Sequence, residues 1–167
     1  YGLDEFYTNF DPGSGGALDA AIAGAFKKGK PVFSYYWTPT GLMGKVDLVQ
    51  LEEPEYKADC WTKMMAVVEK IKADGPDAYT DTCASAYVNM ALTKSASTTF
   101  ANKKSNKKIV DFIRAYSVPT PEVNRSLAYY MDESGGDMEA TAKHFLSNSA
   151  MWKKWVPADV AAKVADT

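Results

Sequence analysis

Pro31-Val32-Phe33-Ser34-Tyr35-Tyr36-Trp37 is β-branched and aromatic, and it reads as a buried strand. Thr38-Pro39-Thr40-Gly41 breaks it. Asp47-Leu48-Val49-Gln50-Leu51 reads as a second short strand, closed by Glu52-Glu53-Pro54. Upstream, Leu18, Ala21, Ile22, Ala25 and Phe26 recur at helical spacing and predict an amphipathic helix over 17–28. Lys27 and Lys28 sit in its last turn and Gly29 stops it. The first third thus predicts helix, strand, turn, strand: an α/β pattern with 31–37 as a central strand flanked by the helix.

Further along, Trp61, Met64, Met65, Val68 and Ile71 form another apolar stripe, ended by Gly75-Pro76. Tyr87 to Leu92 reads as a third strand. The remainder is helical. Ile109, Phe112, Ile113 and Tyr116 make one stripe, and Val123, Leu127, Tyr130 and Met131 the next, with Thr120 as N-cap and Pro121 opening the helix. Asp137 caps a third, and Trp152 and Trp155 precede a last short helix bearing Val160 and Val164. Two or three strands are too few for a stable sheet. A segment preceding Tyr1, or another chain, is expected to supply the rest. Tyr1 is not Met and no charged stretch leads into an apolar one, so the chain is expected to be part of something longer.

Composition narrows the chemistry. With 19 Lys+Arg against 21 Asp+Glu, the net charge of −2 argues against a nucleic-acid binder. At 46% hydrophobic and 24% charged, the composition is that of a globular chain. His144 is the only histidine, so one chain cannot build a multi-histidine metal site. No Walker A, GxGxxG or GxSxG pattern occurs, and no cofactor is expected. Cys60 and Cys83 fit either one disulfide in an oxidising compartment or two buried thiols in a reducing one.

Aromatics are abundant, and three of them stand together as Tyr35-Tyr36-Trp37 at the end of the expected strand. Ligands of α/β sheets bind beyond the carboxyl ends of strands, and an indole face attracts cations. Core packing is the competing reading of all three. The run from Lys30 to Pro54 resembles one family: the substrate-binding proteins of ABC transporters for glycine betaine and related quaternary ammonium osmolytes. An apolar strand leads to Trp37-Thr38-Pro39, and Lys45-Val46-Asp47-Leu48, Leu51 and Glu52-Glu53-Pro54 follow at the family's spacing.

The resemblance implies a type II periplasmic-binding-protein-like fold of two α/β lobes closing on a ligand held in an aromatic cage. On that reading, residues 1–88 are a second-lobe segment and 89–167 a mainly helical return to the first lobe. The first-lobe part would be missing from this chain. Trp37 matches a cage tryptophan, Tyr36 and Thr38 flank it, and Tyr116 is the nearest aromatic to the loop where many members carry another. Thr40-Gly41 stand where members often have His-Trp. The implied partners are the osmolyte and the transporter's membrane subunit, and the implied location is periplasmic or extracellular. That location favours the disulfide.

The other candidates are weaker. The Asp11–Gly16 loop opens a helix, where amides bind anions such as a betaine carboxylate, but a plain loop with Ser14 as N-cap is the favoured reading. Lys103, Lys104, Lys107 and Lys108 read as a solvated helix start or a docking patch. Asn124-Arg125-Ser126 fits a glycosylation sequon but falls inside a predicted helix. Two other classes compete with a non-enzymatic binding module: a small carboxylate-based enzyme using the aromatics as a platform, and a helical interaction protein whose aromatics are all core.

Overall fold

A computed structural model of the chain describes all residues except 2, 4, 81, 82, 166 and 167; the described residues form seven α-helices and no strand. The helices are α1 (Gly15–Lys27), α2 (Ala58–Asp74), α3 (Thr98–Asn102), α4 (Lys107–Ala115), α5 (Thr120–Asp132), α6 (Met138–Asn148) and α7 (Ala158–Ala165). The chain divides into two units. One comprises Tyr1–Asp11 and Val49–Leu92, the other Pro12–Leu48 and Thr93–Thr167.

The first is a disulfide unit built on α2. Cys60, in the first turn of α2, is bonded to Cys83, with the two Cα atoms 5.7 Å apart. Two hydrogen bonds reinforce that tether. The Ala86 N–H donates to the Pro54 carbonyl at 3.1 Å, and the Lys57 N–H to Ser85 Oγ at 2.9 Å. Gly75 ends α2 at φ 90°, a backbone region open to glycine but strained for other residues.

In the second, helical unit the buried apolar residues are Ile22, Leu42, Val110, Trp152 and Trp155. Ser14 caps α1 by accepting from the Ala17 N–H at 3.2 Å, the role open to it from sequence. Asp137 caps α6, its Oδ1 accepting from Glu139 and Ala140. The predicted stripes at 123–131, 138–145 and 160–164 fall on helices, as do Ile109, Phe112 and Ile113, while Tyr116 lies just past the end of α4. One boundary moves: α5 begins at Thr120, so its N-cap is Pro119 and Pro121 lies within the first turn. The 3-10 turn Leu42–Gly44 packs against α5, and Lys45 extends that seat with an ion pair to Asp132 at 2.6 Å.

The expected α/β class is not what forms. The central strand at 31–37, its neighbour at 47–51 and the third strand at 87–92 are all irregular. The lobe of strands flanked by helices, expected from the pattern and from the type II resemblance, is therefore corrected, for the described residues, to helices joined by irregular segments. The physical reason lies in what a strand requires. β propensity measures fit to a half-buried, laddered surface rather than an intrinsic backbone preference. Among the described residues no neighbouring backbone offers the ladder: Phe33, Tyr35, Val49, Leu51, Met90 and Leu92 all remain exposed. The aromatic run is instead fastened by side chains.

Candidate ligand-binding site

Tyr36 and Trp37 are brought together. Their ring centroids lie 4.8 Å apart with planes at 31°, and the Tyr35 ring stacks on Trp37 at 5.9 Å. The Tyr36 hydroxyl donates to Asp19 Oδ1 on α1 at 2.7 Å. Trp37 also approaches the start of α1: a Cβ built on Gly15 would lie 3.4 Å from Trp37 Cη2. The indole thus touches two tyrosine rings and the first turn of α1, yet it remains 44% exposed.

The next residues are fixed by one buried side chain. Asn124 of α5, 7% exposed, accepts at Oδ1 from Thr38 Oγ1 at 3.2 Å and from the Thr40 N–H at 2.9 Å. Thr40 Oγ1 in turn accepts from the Met43 N–H at 3.2 Å. The Thr38–Pro39 peptide is cis. Asn124 thus positions the turn that follows Trp37, a role the sequon reading missed. Its partners lie more than 80 residues away in the chain, so no local spacing reveals it. Beside this turn lies a recess of about 390 Å³ lined by Met43, Asp47, Leu48, Pro121, Asn124 and Arg125 among others, which Trp37 does not line.

Tyr116 sits in a different ring cluster. It packs edge-on against Trp155 at 4.7 Å, and Trp155 stacks on Phe145 at 5.9 Å. The Lys94 ammonium lies 5.8 Å from the Tyr116 ring centroid and donates to the Arg114 and Tyr116 carbonyls at the end of α4. His144 stacks on Tyr129 at 3.8 Å and is exposed. Lys103, Lys104, Lys107 and Lys108 are solvated around the start of α4, with Lys107 paired to Asp111 at 2.5 Å.

The Tyr36 phenol is held above its usual 10.0, first by burial and then by its hydrogen bond to Asp19. A raised phenol stabilises the folded state fully below the unfolded value, and that contribution fades as pH rises through the folded one. Tyr36→Phe is therefore expected to lower the melting temperature at pH 7 and to flatten its decline above pH 10. Parallel melting curves of the two proteins across that range are the check; an unchanged alkaline decline would remove Tyr36 as its source.

Comparison with known proteins adds the decisive point. A family model described as the substrate binding domain of the ABC-type glycine betaine transport system matches residues 1–148. The chain belongs to this family. No curated protein and no solved structure matched it. The match contains the Tyr36-Trp37-Thr38 run, Asn124, Tyr116 and both cysteines. A glycine betaine substrate-binding domain is a transport component, not an enzyme family. Among the described residues no helix is long and apolar enough to cross a membrane.

Proposed function

We propose that the chain captures glycine betaine or a related methylated osmolyte for an ABC importer, with Trp37 as one wall of the ammonium site. The observation that carries this is the half-exposed indole wedged beside Tyr36 and α1, within a chain of the glycine betaine binding family. A quaternary ammonium carries its charge under methyl groups, which cost little to desolvate, so an indole face holds it better than a hydrated ammonium. Thr38, tied to Asn124, sets the turn beside the indole. The ligand's carboxylate fits the Gly15 and Gly16 amides at the start of α1, beside the indole edge; Ser14 occupies the next amide, at Ala17. Tyr116 contributes a further ring only if the Lys94 ammonium leaves it. The work is done without bond making or breaking: the ligand is released unchanged to the membrane subunit. The Cys60–Cys83 bond agrees with a periplasmic or extracellular location.

Competition between glycine betaine and glycine tests this reading. Both carry the carboxylate, and only one carries the methyls. Retention of glycine betaine on the folded chain at concentrations where glycine is not retained is the expected result. Equal retention of the two would overturn the ammonium-face assignment.

A further inference from the structure

A second aromatic cluster, in the disulfide unit, is unaccounted for by the site around Trp37. Trp61 of α2 meets Tyr87 edge-on, with centroids 4.8 Å apart and planes at 65°, and Tyr56 at 6.3 Å and 52°. Tyr56 and Tyr87 are exposed and Trp61 is half-buried, so the rings form an open corner rather than a core. The Tyr1 hydroxyl donates to Glu53 Oε1 at 3.1 Å and approaches the Ser85 carbonyl at 3.5 Å. The Tyr1 phenol is raised by burial and then by its hydrogen bond to the Glu53 carboxylate, while the same hydroxyl reaches the carbonyl two residues before Tyr87.

Three tethers fix this corner. Cys60, next to Trp61, is bonded to Cys83, while Ser85, 2% exposed, and Ala86 bind the 54–57 backbone. Tyr56 and Tyr87 are therefore presented by two strips of chain that are pinned to each other beside α2. Charge agrees. The residues of this unit include eleven Asp and Glu against four Lys, whereas the helical unit has ten against fifteen Lys and Arg. A preorganised ring corner with a carboxylate, on the acidic half of the chain, suits a cation with an apolar surface.

We propose that Tyr56, Trp61 and Tyr87, with Glu53, form a second binding site for an alkylammonium cation, separate from Trp37. The Cys60–Cys83 bond holds the corner in register.

The test uses the full chain carrying Trp37→Ala, titrated by ligand-observed NMR with tetramethylammonium, choline and the neutral choline isostere 3,3-dimethyl-1-butanol. Both cations are expected to bind the Trp37→Ala chain, and the neutral isostere is not. Adding Tyr56→Ala and Tyr87→Ala together should weaken tetramethylammonium by about tenfold, the loss of two partly solvated ring contacts. Adding Glu53→Gln should weaken it about threefold, while Trp61→Phe, which keeps a ring, should retain partial binding. Circular dichroism and a negative free-thiol assay confirm that each variant is folded and bonded. The proposal is overturned if the Trp37→Ala chain binds neither cation, if the folded double variant keeps full affinity, or if the isostere binds as well as choline. An effect of Trp37→Ala on glycine betaine, or its lack, bears on the other site alone.

Discussion

Reduction of the Cys60–Cys83 bond, or its removal as Cys60→Ser with Cys83→Ser, should cost the disulfide unit about 3 kcal/mol in the chain-entropy account of a loop this long. The sequence separation is 23 residues, so the bond restrains a sizeable loop in the unfolded chain. The effect should be large in consequence as well as in magnitude. Cys60 is the single buried apolar residue among the described residues of that unit, so little hydrophobic core remains to compensate. Amide hydrogen exchange along α2 reads it directly. Protection in α2 is expected to collapse on reduction while α5 and α6 keep theirs. Unchanged protection in α2 would show that the bond contributes nothing to holding the unit.

Gly44→Ala should be the most damaging single-methyl change in the helical unit. A Cβ there would overlap the Asn124 carbonyl oxygen and lie 2.8 Å from Ala128 Cβ. Both are parts of α5, so neither can swing aside. The 3-10 turn must lift from the helix, straining the bonds from Asn124 to Thr38 and Thr40 and the Lys45–Asp132 pair. Overpacking of this kind costs about 2–3 kcal/mol. Gly24→Ala is the matched control. Gly24 lies inside α1 with nothing within 4 Å of the added carbon, so alanine there should stabilise by up to about 1 kcal/mol through helix propensity. Melting temperatures moving in opposite directions check both. A neutral Gly44→Ala would mean that the turn does not seat on α5 as described.

The longer helices and the caps at Ser14 and Asp137 were legible because their information is local, whereas α3 and the one-residue-earlier start of α5 were not. The spacing of Trp61, Met64, Met65, Val68 and Ile71 marks α2, and Asp137 announces α6 by offering an oxygen to the next amides. The expected strands did not form, because a strand depends on what lies beside it. Val32, Phe33, Tyr35 and Tyr36 have the composition of a strand, yet among the described residues no ladder forms around them. Tyr36 is tied instead to Asp19 by its hydroxyl, and Tyr35 and Tyr36 pack on the Trp37 ring. The same division runs through the site. Trp37 and its flanking residues could be picked out from the Trp-Thr-Pro run and its resemblance to a family. Asn124 could not, since its function is defined by Thr38 and Thr40, brought to it only by folding. Tyr116 was chosen by its place in the chain, and the structure packs it with Trp155 rather than with Trp37.

Trp37→Ala decides the central claim, provided that affinity and stability are measured on the same protein. A ring that serves as a wall for the ammonium and a ring that serves only as packing lose different things on truncation. Loss of one cation–π wall should weaken glycine betaine binding by about 1–2 kcal/mol, and Trp37→Phe should weaken it less because a smaller ring face remains. At 44% exposure, with its face only partly covered, the indole should add little to stability, so the melting temperature should fall by a few degrees at most. The contrary result is a sharp fall in melting temperature with unchanged affinity per folded molecule, which would make Trp37 a packing residue and remove the ammonium site from this end of α1.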